Sequence, residues 1–228
     1  MAKLTGVVLG SFSPLHRGHL DLILKAKKEC SDGVVIAVCG YRKDKGEEVG
    51  LPLSLRRELI ERAFKYDGYH EDPLIDVIEM DDNLIGIAGY NNHWKEWLAE
   101  FSKEMAKLKG PEFKIDTDCV FYVGEEEYYE ALKAYHLQVV FVDRSINPIR
   151  ATMIRENPMK YWNDIENHFK PYFQKRYLVI GTASEGKTTL VKDLSTYFGC
   201  EGTFEYGHEF VENRKLDTSN PPNDCNLS

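Results

Sequence analysis

Apolar positions along this chain switch between two periods, and the switching predicts strands and helices in regular succession. Residues 4–10 form an apolar, β-branched run that ends in glycine. In residues 15–30, Leu15, Leu20, Ile23, Leu24 and Ala26 fall close to helical spacing until Asp32 and Gly33 break the pattern. Residues 33–39, GVVIAVC, are a continuous apolar run bounded by glycines, as expected of a strand covered on both faces. Strand, helix, strand in this order predicts a parallel α/β sheet.

The succession continues down the chain. Residues 54–64 read as a helix with Ser54 as its N-cap and Glu58 in its first turn. A strand is expected at 74–80 and a charged amphipathic helix at 94–108. Strand, helix and strand follow at 119–123, 126–134 and 139–142, and a helix at 163–170 closes the region. A second unit opens near Tyr177, with a short strand at 177–181 (YLVIG) and a helix at 187–198. After Glu212 the polar sequence has little to bury, which predicts a disordered tail. The 228 residues accommodate one domain and a smaller piece, at about 100–200 residues per domain. We place the first over residues 1–173 and the second over 177–228.

Charge and cysteine usage narrow the function. With 29 Lys+Arg against 37 Asp+Glu, the formal net charge is −8. That argues against nonspecific nucleic-acid binding, which needs a basic surface to release counterions, but leaves room for local phosphate pockets. The apolar run at residues 7–9 is shorter than a signal-peptide core of about 7–15 residues or a membrane span of about 20. The expectation is a cytoplasmic protein without a membrane partner. Five scattered cysteines (Cys30, Cys39, Cys119, Cys200, Cys225) include no C-x-x-C pair, which fits reduced thiols rather than zinc or a redox dithiol.

The chemistry concentrates first in residues 10–19, G-S-F-S-P-L-H-R-G-H. A strand end, a tight turn through Pro14 and a helix from about Leu15 would put His16 and His19 in the first helical turns, three residues apart on one face. Free N–H groups and the positive end of the helix dipole there suit a triphosphate. Gly18 would let a base or ribose lie on the backbone. A metal site is the other reading of two such histidines, but no nearby carboxylate or cysteine supplies a spaced third ligand.

This segment resembles the signature of the HxGH nucleotidyltransferase superfamily. The resemblance implies a Rossmann-like doubly wound parallel sheet of the nucleotidyltransferase type and transfer of an adenylyl or cytidylyl group to a phosphate acceptor. It further implies in-line attack at the α-phosphorus with no covalent intermediate, usually with Mg2+. His16 and His19 would then be catalytic, with Gly10, Ser11, Phe12 and Gly18 around ATP. Residues 149–155, I-R-A-T-M-I-R, are similar to the superfamily's I-S-x-T-x-I-R, which implies that Thr152 and Arg155 bind the β- and γ-phosphates. Arg150 stands where the family has serine.

Two further stretches narrow the resemblance. Residues 156–165 (ENPMKYWNDI) and 91–97 (NNHWKEW) are similar to segments of the NadR-type nicotinamide mononucleotide adenylyltransferases. The acceptor implied is nicotinamide mononucleotide, with Asn92, Trp94 and Trp97 around its ring, since an aromatic face suits a flat cation. Residues 122–128 (YVGEEEY), at the end of a predicted strand, add Gly124, Glu125 and Tyr128 as candidates to line the site.

Residues 181–188, G-T-A-S-E-G-K-T, fit the P-loop pattern G-x-x-x-x-G-K-[ST] between a predicted strand and a predicted helix. Gly181, Gly186, Lys187, Thr188 and Thr189 would cradle phosphates, with Thr188 on Mg2+. Residues 204–211 (FEYGHEFV) are similar to W-E-Y-G-R-E-x-V of the ribosylnicotinamide-kinase-like domain in that family. Residues 177–228 fall well short of the roughly 150 that an α/β kinase needs, so the expectation is an incomplete P-loop α/β unit without kinase activity.

The function implied is adenylyl transfer from ATP to nicotinamide mononucleotide, giving NAD and pyrophosphate. Rivals are the same transfer to another acceptor, such as a phosphopantetheine or flavin mononucleotide, and a non-catalytic nucleotide sensor. A DNA-binding regulator is disfavoured, because no helix-turn-helix precedes the first strand. A homo-oligomer is compatible with this sequence.

Overall fold

A computed structural model of the protein describes residues 3–66, 74–84, 93–143, 148–198 and 202–203. The chain divides into two compact units, Met1–Gln174 and Lys175–Ser228.

The first unit is built on five parallel strands, β1 (Thr5–Gly10), β2 (Val34–Gly40), β3 (Ile75–Asp81), β4 (Cys119–Val123) and β5 (Val139–Phe141), in the order β3-β2-β1-β4-β5. Between them run α1 (Arg17–Glu29), α2 (Leu53–Glu61), α3 (Trp94–Lys109) and α4 (Glu126–Ala134), and α5 (Ala151–Glu156) follows β5. Strands alternate their side chains between two cores. On one face Val8, Ile36, Val38 and Tyr122 pack with Leu22 and Ile23 of α1, Leu59 and Ile60 of α2 and Ile154 of α5. On the other, Val7, Leu9, Val35, Ala37 and Phe121 pack with Trp97, Phe101 and Met105 of α3 and Leu132 of α4. Helices on both faces explain why β1 and β2 are apolar at nearly every position. This is a doubly wound sheet, and its strand order reverses direction between β1 and β4, where a crevice opens at the carboxyl ends of the strands.

Three expectations are corrected in detail. Ser54 is not an N-cap and Glu58 is not in a first turn: α2 starts at Leu53 behind Pro52, whose extended backbone turns the chain into the helix one residue early. Glu58 instead pairs with Arg62 one turn on. The helix expected at 163–170 is replaced by short 3₁₀ turns at Trp162–Asp164 and Lys170–Tyr172. Between them Ile165 bridges antiparallel to His16, and the Glu166 N–H donates to the Leu15 carbonyl at 3.1 Å. Ile165 and Phe169 have the i, i+4 spacing of a helix face, but they anchor an extended strap in the core beside Phe12 and Leu15. Tertiary pairing overrides local propensity here.

In the second unit, α6 (Lys187–Phe198) forms over the expected residues. The strand expected at 177–181 does not form among the described residues, and Tyr177, Leu178 and Ile180 are exposed. A strand exists only through hydrogen bonds to a neighbour, and no described segment pairs with this one. The motif at 204–211 and the tail beyond Glu212 lie outside the described residues.

Candidate active site

A cavity of about 690 Å³ occupies the crevice at the carboxyl ends of β1, β2 and β4. Its floor is the loop from Gly10 to the start of α1. His16 is not inside the helix but caps it: its backbone is extended, and its Nδ1 accepts the Gly18 N–H at 3.1 Å. An accepting Nδ1 leaves the ring proton of a neutral His16 on Nε2. His19, in the first turn of α1, stacks on His16 with ring centroids 3.8 Å apart and receives the edge of Phe12 at 4.8 Å. Both histidines border the cavity.

Two arginines from distant parts of the chain hold this loop. Arg56 of α2 is fully buried; it donates to the Ser11 carbonyl at 2.7 Å and pairs with Asp44 at 2.5 Å. The other Asp44 oxygen accepts the N–H groups of Gly46 and Glu47, each at 2.9 Å, so the buried carboxylate is fully engaged. Arg155 of α5 donates to the Ser13 carbonyl at 2.5 Å and to the Thr152 hydroxyl at 3.1 Å, half-buried at the rim. Desolvation lowers its pKa, opposed by the nearby Asp44 and Glu48 carboxylates. Cations, a helix N-terminus and two imidazoles thus face one space, an arrangement suited to a polyphosphate.

The cavity brings together most residues singled out in the sequence: Gly10, Ser11, His16, His19, Gly124, Glu125, Tyr128, Arg150, Thr152 and Arg155 all line it. Arg150 sits exposed at the N-cap of α5. Two glycine-loop expectations change. Phe12 is wholly buried as a wedge beneath His19 rather than a wall of the cavity. Gly18 is buried as well; a side chain there would lie 3.2 Å from the His16 ring and 3.4 Å from the Ile149 carbonyl, so its smallness serves internal packing.

The two tryptophans separate. Trp97 is a core residue, 2% exposed and stacked on Phe101 at 5.0 Å, so its indole is not available to a ligand. Its spacing along α3 places it on the buried stripe with Phe101 and Met105. Trp94 is half-buried and sets its edge against Tyr128 at 5.5 Å, next to the cavity. Asn92 lies outside the described residues.

Residues not foreseen in the sequence also border the space: Tyr41, Asp44 and Lys45 after β2, Asp82 after β3, and His93 before α3. For Tyr41, Asp44, Lys45 and Asp82, a position soon after a strand's carboxyl end was the available signal. Asp82 is 1% exposed; burial first, then Asp81 and Asp44, push its pKa up to about 7 against the pull of Arg56. Cys30, Cys39 and Cys119 are buried free thiols, and burial raises the pKa of each. No helix among the described residues is long and apolar enough to cross a membrane.

In the second unit, the loop 181–187 curls on itself. Ser184 and Gly186 take left-handed conformations, the Thr182 N–H donates to the Glu185 carboxylate at 3.0 Å, and the Lys187 ammonium donates to the Thr182 carbonyl. Thr188 and Thr189 follow in the first turn of α6.

Sheet order, crevice and paired histidines together define an α/β domain of the nucleotidyltransferase type. Residues 7–157 match the Cytidylyltransferase-like family, and the chain belongs to it. It is 30% identical to the Trifunctional NAD biosynthesis/regulator protein NadR of Escherichia coli (strain K12) over 219 residues, and 30% identical to that of Salmonella typhimurium over 217. Each alignment covers 92% of this chain and 50% of the relative, so the chain spans about half the length of those proteins. Among solved structures it resembles NadR protein in complex with NR, with 34% identity, a TM-score of 0.75, and coverage of 95% of this chain and 58% of that one. NadR protein in complex with NAD and AMP-PNP gives 33% identity, a TM-score of 0.73, and coverage of 95% and 60%. A bifunctional NMN adenylyltransferase/ADP ribose pyrophosphatase from Francisella tularensis shares the fold at 17% identity and a TM-score of 0.52, covering 96% of this chain and 57% of that one.

Proposed function

We propose that the first unit transfers the adenylyl group of ATP to nicotinamide mononucleotide, giving NAD and pyrophosphate. The observation that carries this reading is the stacked His16–His19 pair at the start of α1, facing the same cavity as Arg155 and Thr152 of α5. The NadR structures with NR and with NAD and AMP-PNP support the choice of substrates.

In this reading an oxygen of the acceptor phosphate attacks the α-phosphorus in line, forming the P–O bond of the dinucleotide. The bond to the bridging oxygen breaks and pyrophosphate leaves with its electron pair. Nothing is attached to the enzyme. His16 presents an Nε2–H donor, with its orientation set by the Gly18 N–H, and His19 stacked above it meets the charge that develops on the α-phosphoryl oxygens. Arg155 and Thr152 draw the leaving pyrophosphate away from the acceptor. The enzyme's contribution is positioning and electrostatics rather than a nucleophile.

Mg2+ would travel on the ATP phosphates, where it supplies charge neutralisation. Among the described residues no three His, Cys, Asp or Glu side chains form a protein cage for a metal, and Mg2+ bound chiefly by phosphates and water needs none. Trp94, edge-on to Tyr128, is the aromatic surface we assign to the nicotinamide ring. In the second unit, residues 181–188 would form a separate phosphate loop, with Lys187 and Thr188 toward a nucleotide and its Mg2+.

The test is pyrophosphate release from ATP with and without nicotinamide mononucleotide, with the dinucleotide identified by mass. Release that is independent of the acceptor, or no release with any mononucleotide acceptor, defeats the reading.

A further inference from the structure

One group in the cavity is unexplained by phosphate binding. The carboxylate of Asp82 is 1% exposed, borders the cavity, and has no hydrogen-bond donor on either oxygen among the described residues. Its backbone is fixed: Asp82 follows β3 directly, and its N–H donates to the Gly40 carbonyl at 2.9 Å, at the end of β2. The charged groups around it come from three elements. Asp81 at the end of β3 and Asp44 after β2 repel it, and Arg56 of α2 attracts it. Arg56 is already engaged through its terminal nitrogens by Asp44 and by the carbonyls of Ser11 and Cys39. A dry, unpaired carboxylate is costly to keep, and one held rigidly beside an open cavity is matched to a donor that arrives from outside.

Phosphate is excluded as that donor, since it brings only acceptors and negative charge. The ligand side of Asp82 must offer N–H or O–H groups. Resting on the adenylyl-transfer reading above, we infer that Asp82 selects the carboxamide form of the acceptor mononucleotide over its carboxylate form, by accepting an amide N–H. The two acceptors carry the same cationic ring, ribose and phosphate, so only the ring substituent differs. An amide brings two donors to an unsatisfied acceptor. A nicotinate carboxylate brings no donor and sets a second negative charge against Asp82, Asp81 and Asp44 in a poorly solvated space. The geometry rejects the acid as well as welcoming the amide.

The state of Asp82 adds an independent readout. With its pKa pushed up to about 7, the free protein holds a growing fraction of neutral Asp82 as the pH falls below that value. A neutral carboxyl can donate to a nicotinate carboxylate, so the amide preference weakens at lower pH and strengthens above about pH 7. The phosphate of both acceptors titrates alike and cancels in the ratio.

The experiment is kcat/KM for nicotinamide and nicotinate mononucleotides with saturating ATP, for the wild type and Asp82→Asn, between about pH 6 and about pH 8. The wild type is expected to prefer the amide by about a hundredfold or more, a preference that rises with pH. Asp82→Asn should reduce that preference about tenfold or more, through KM rather than kcat, and flatten its pH dependence. Its melting temperature should not fall, because the change removes a buried charge. An equal loss with both acceptors, as expected if Asp82 held ribose hydroxyls or Mg2+, overturns the inference, as does an unchanged ratio. If the wild type forms no dinucleotide with either acceptor, adenylyl transfer falls on its own. Calorimetric Kd values of the two mononucleotides for both proteins then decide the role of Asp82 by the same ratio.

Discussion

Arg56 reaches back 45 positions in sequence to hold the Ser11 carbonyl oxygen at 2.7 Å, while the same guanidinium pairs with buried Asp44. The loop that carries the histidines therefore hangs on an ion pair from another helix. Removing one partner leaves the other charged and dry. Arg56→Met should cost about 3–5 kcal/mol of unfolding free energy in urea and lower turnover as the loop loosens. Gly40→Ala should act in the same direction, because a Cβ there would lie 2.5 Å from the guanidinium and 2.8 Å from the Asp44 carboxylate. Unchanged stability in both variants would remove Arg56 from this role.

The two histidines carry separable duties. His16→Ala deletes the acceptor that caps α1 and should cost about 1 kcal/mol, whereas His16→Asn retains a capping oxygen and should be nearly as stable as the wild type. Both should be slow. His19→Ala should leave ATP affinity mostly intact and lower turnover by about 10²–10³, the loss of one preorganised group at the reacting phosphorus. Unchanged turnover in His19→Ala refutes its assigned part.

Trp94 and Trp97 should respond in opposite ways. Trp97→Ala empties a buried site against Phe101 and should destabilise by about 3–5 kcal/mol. Trp94→Ala gives up only edge contacts, about 0.5–1.5 kcal/mol each, but should raise the acceptor KM with little change in the KM for ATP. Paired melting curves and KM values separate the two. A Trp94→Ala protein with normal acceptor KM would leave the ring without its proposed platform.

Folding stability should carry the signature of Asp82. It titrates near 7 in the folded protein and near 3.9 in the unfolded chain. Between those values the folded state keeps a proton that the unfolded state has released. The stabilisation linked to that proton is complete below about pH 4 and lost as pH rises through about 7. The wild type should therefore lose ground to Asp82→Asn between about pH 5 and about pH 8 in urea unfolding. A constant difference between the two proteins would place the Asp82 titration elsewhere.

Much of the sheet could be read from periodicity alone, because strands buried on both faces leave long apolar runs and little ambiguity. The residues of β4 and α4 lie where the alternation placed them. The misreadings share a cause. Ile165 and Phe169 have helical spacing, yet pairing with His16 draws them into a strap. Residues 177–181 are strand-like in composition, yet a strand needs a partner. The site was legible where chemistry is local, as in residues 10–19 and 149–155. It was hidden where function depends on distance through space. Nothing in the local sequence marks Arg56 as the anchor of Ser11. Asp82 looked like one more acidic residue in an acidic protein until the fold took away its water.

The strap has a practical consequence for anyone wishing to isolate the transfer chemistry. The family match ends at residue 157, but the chain continues past it to bridge Ile165 with His16 and to bury Phe169 beneath the same loop. A fragment trimmed at the edge of that family match would keep the segments 10–19 and 149–155 and lose the brace that holds the first of its histidines. A fragment that keeps the brace is therefore longer than the family match and extends through Phe173, which packs against that core.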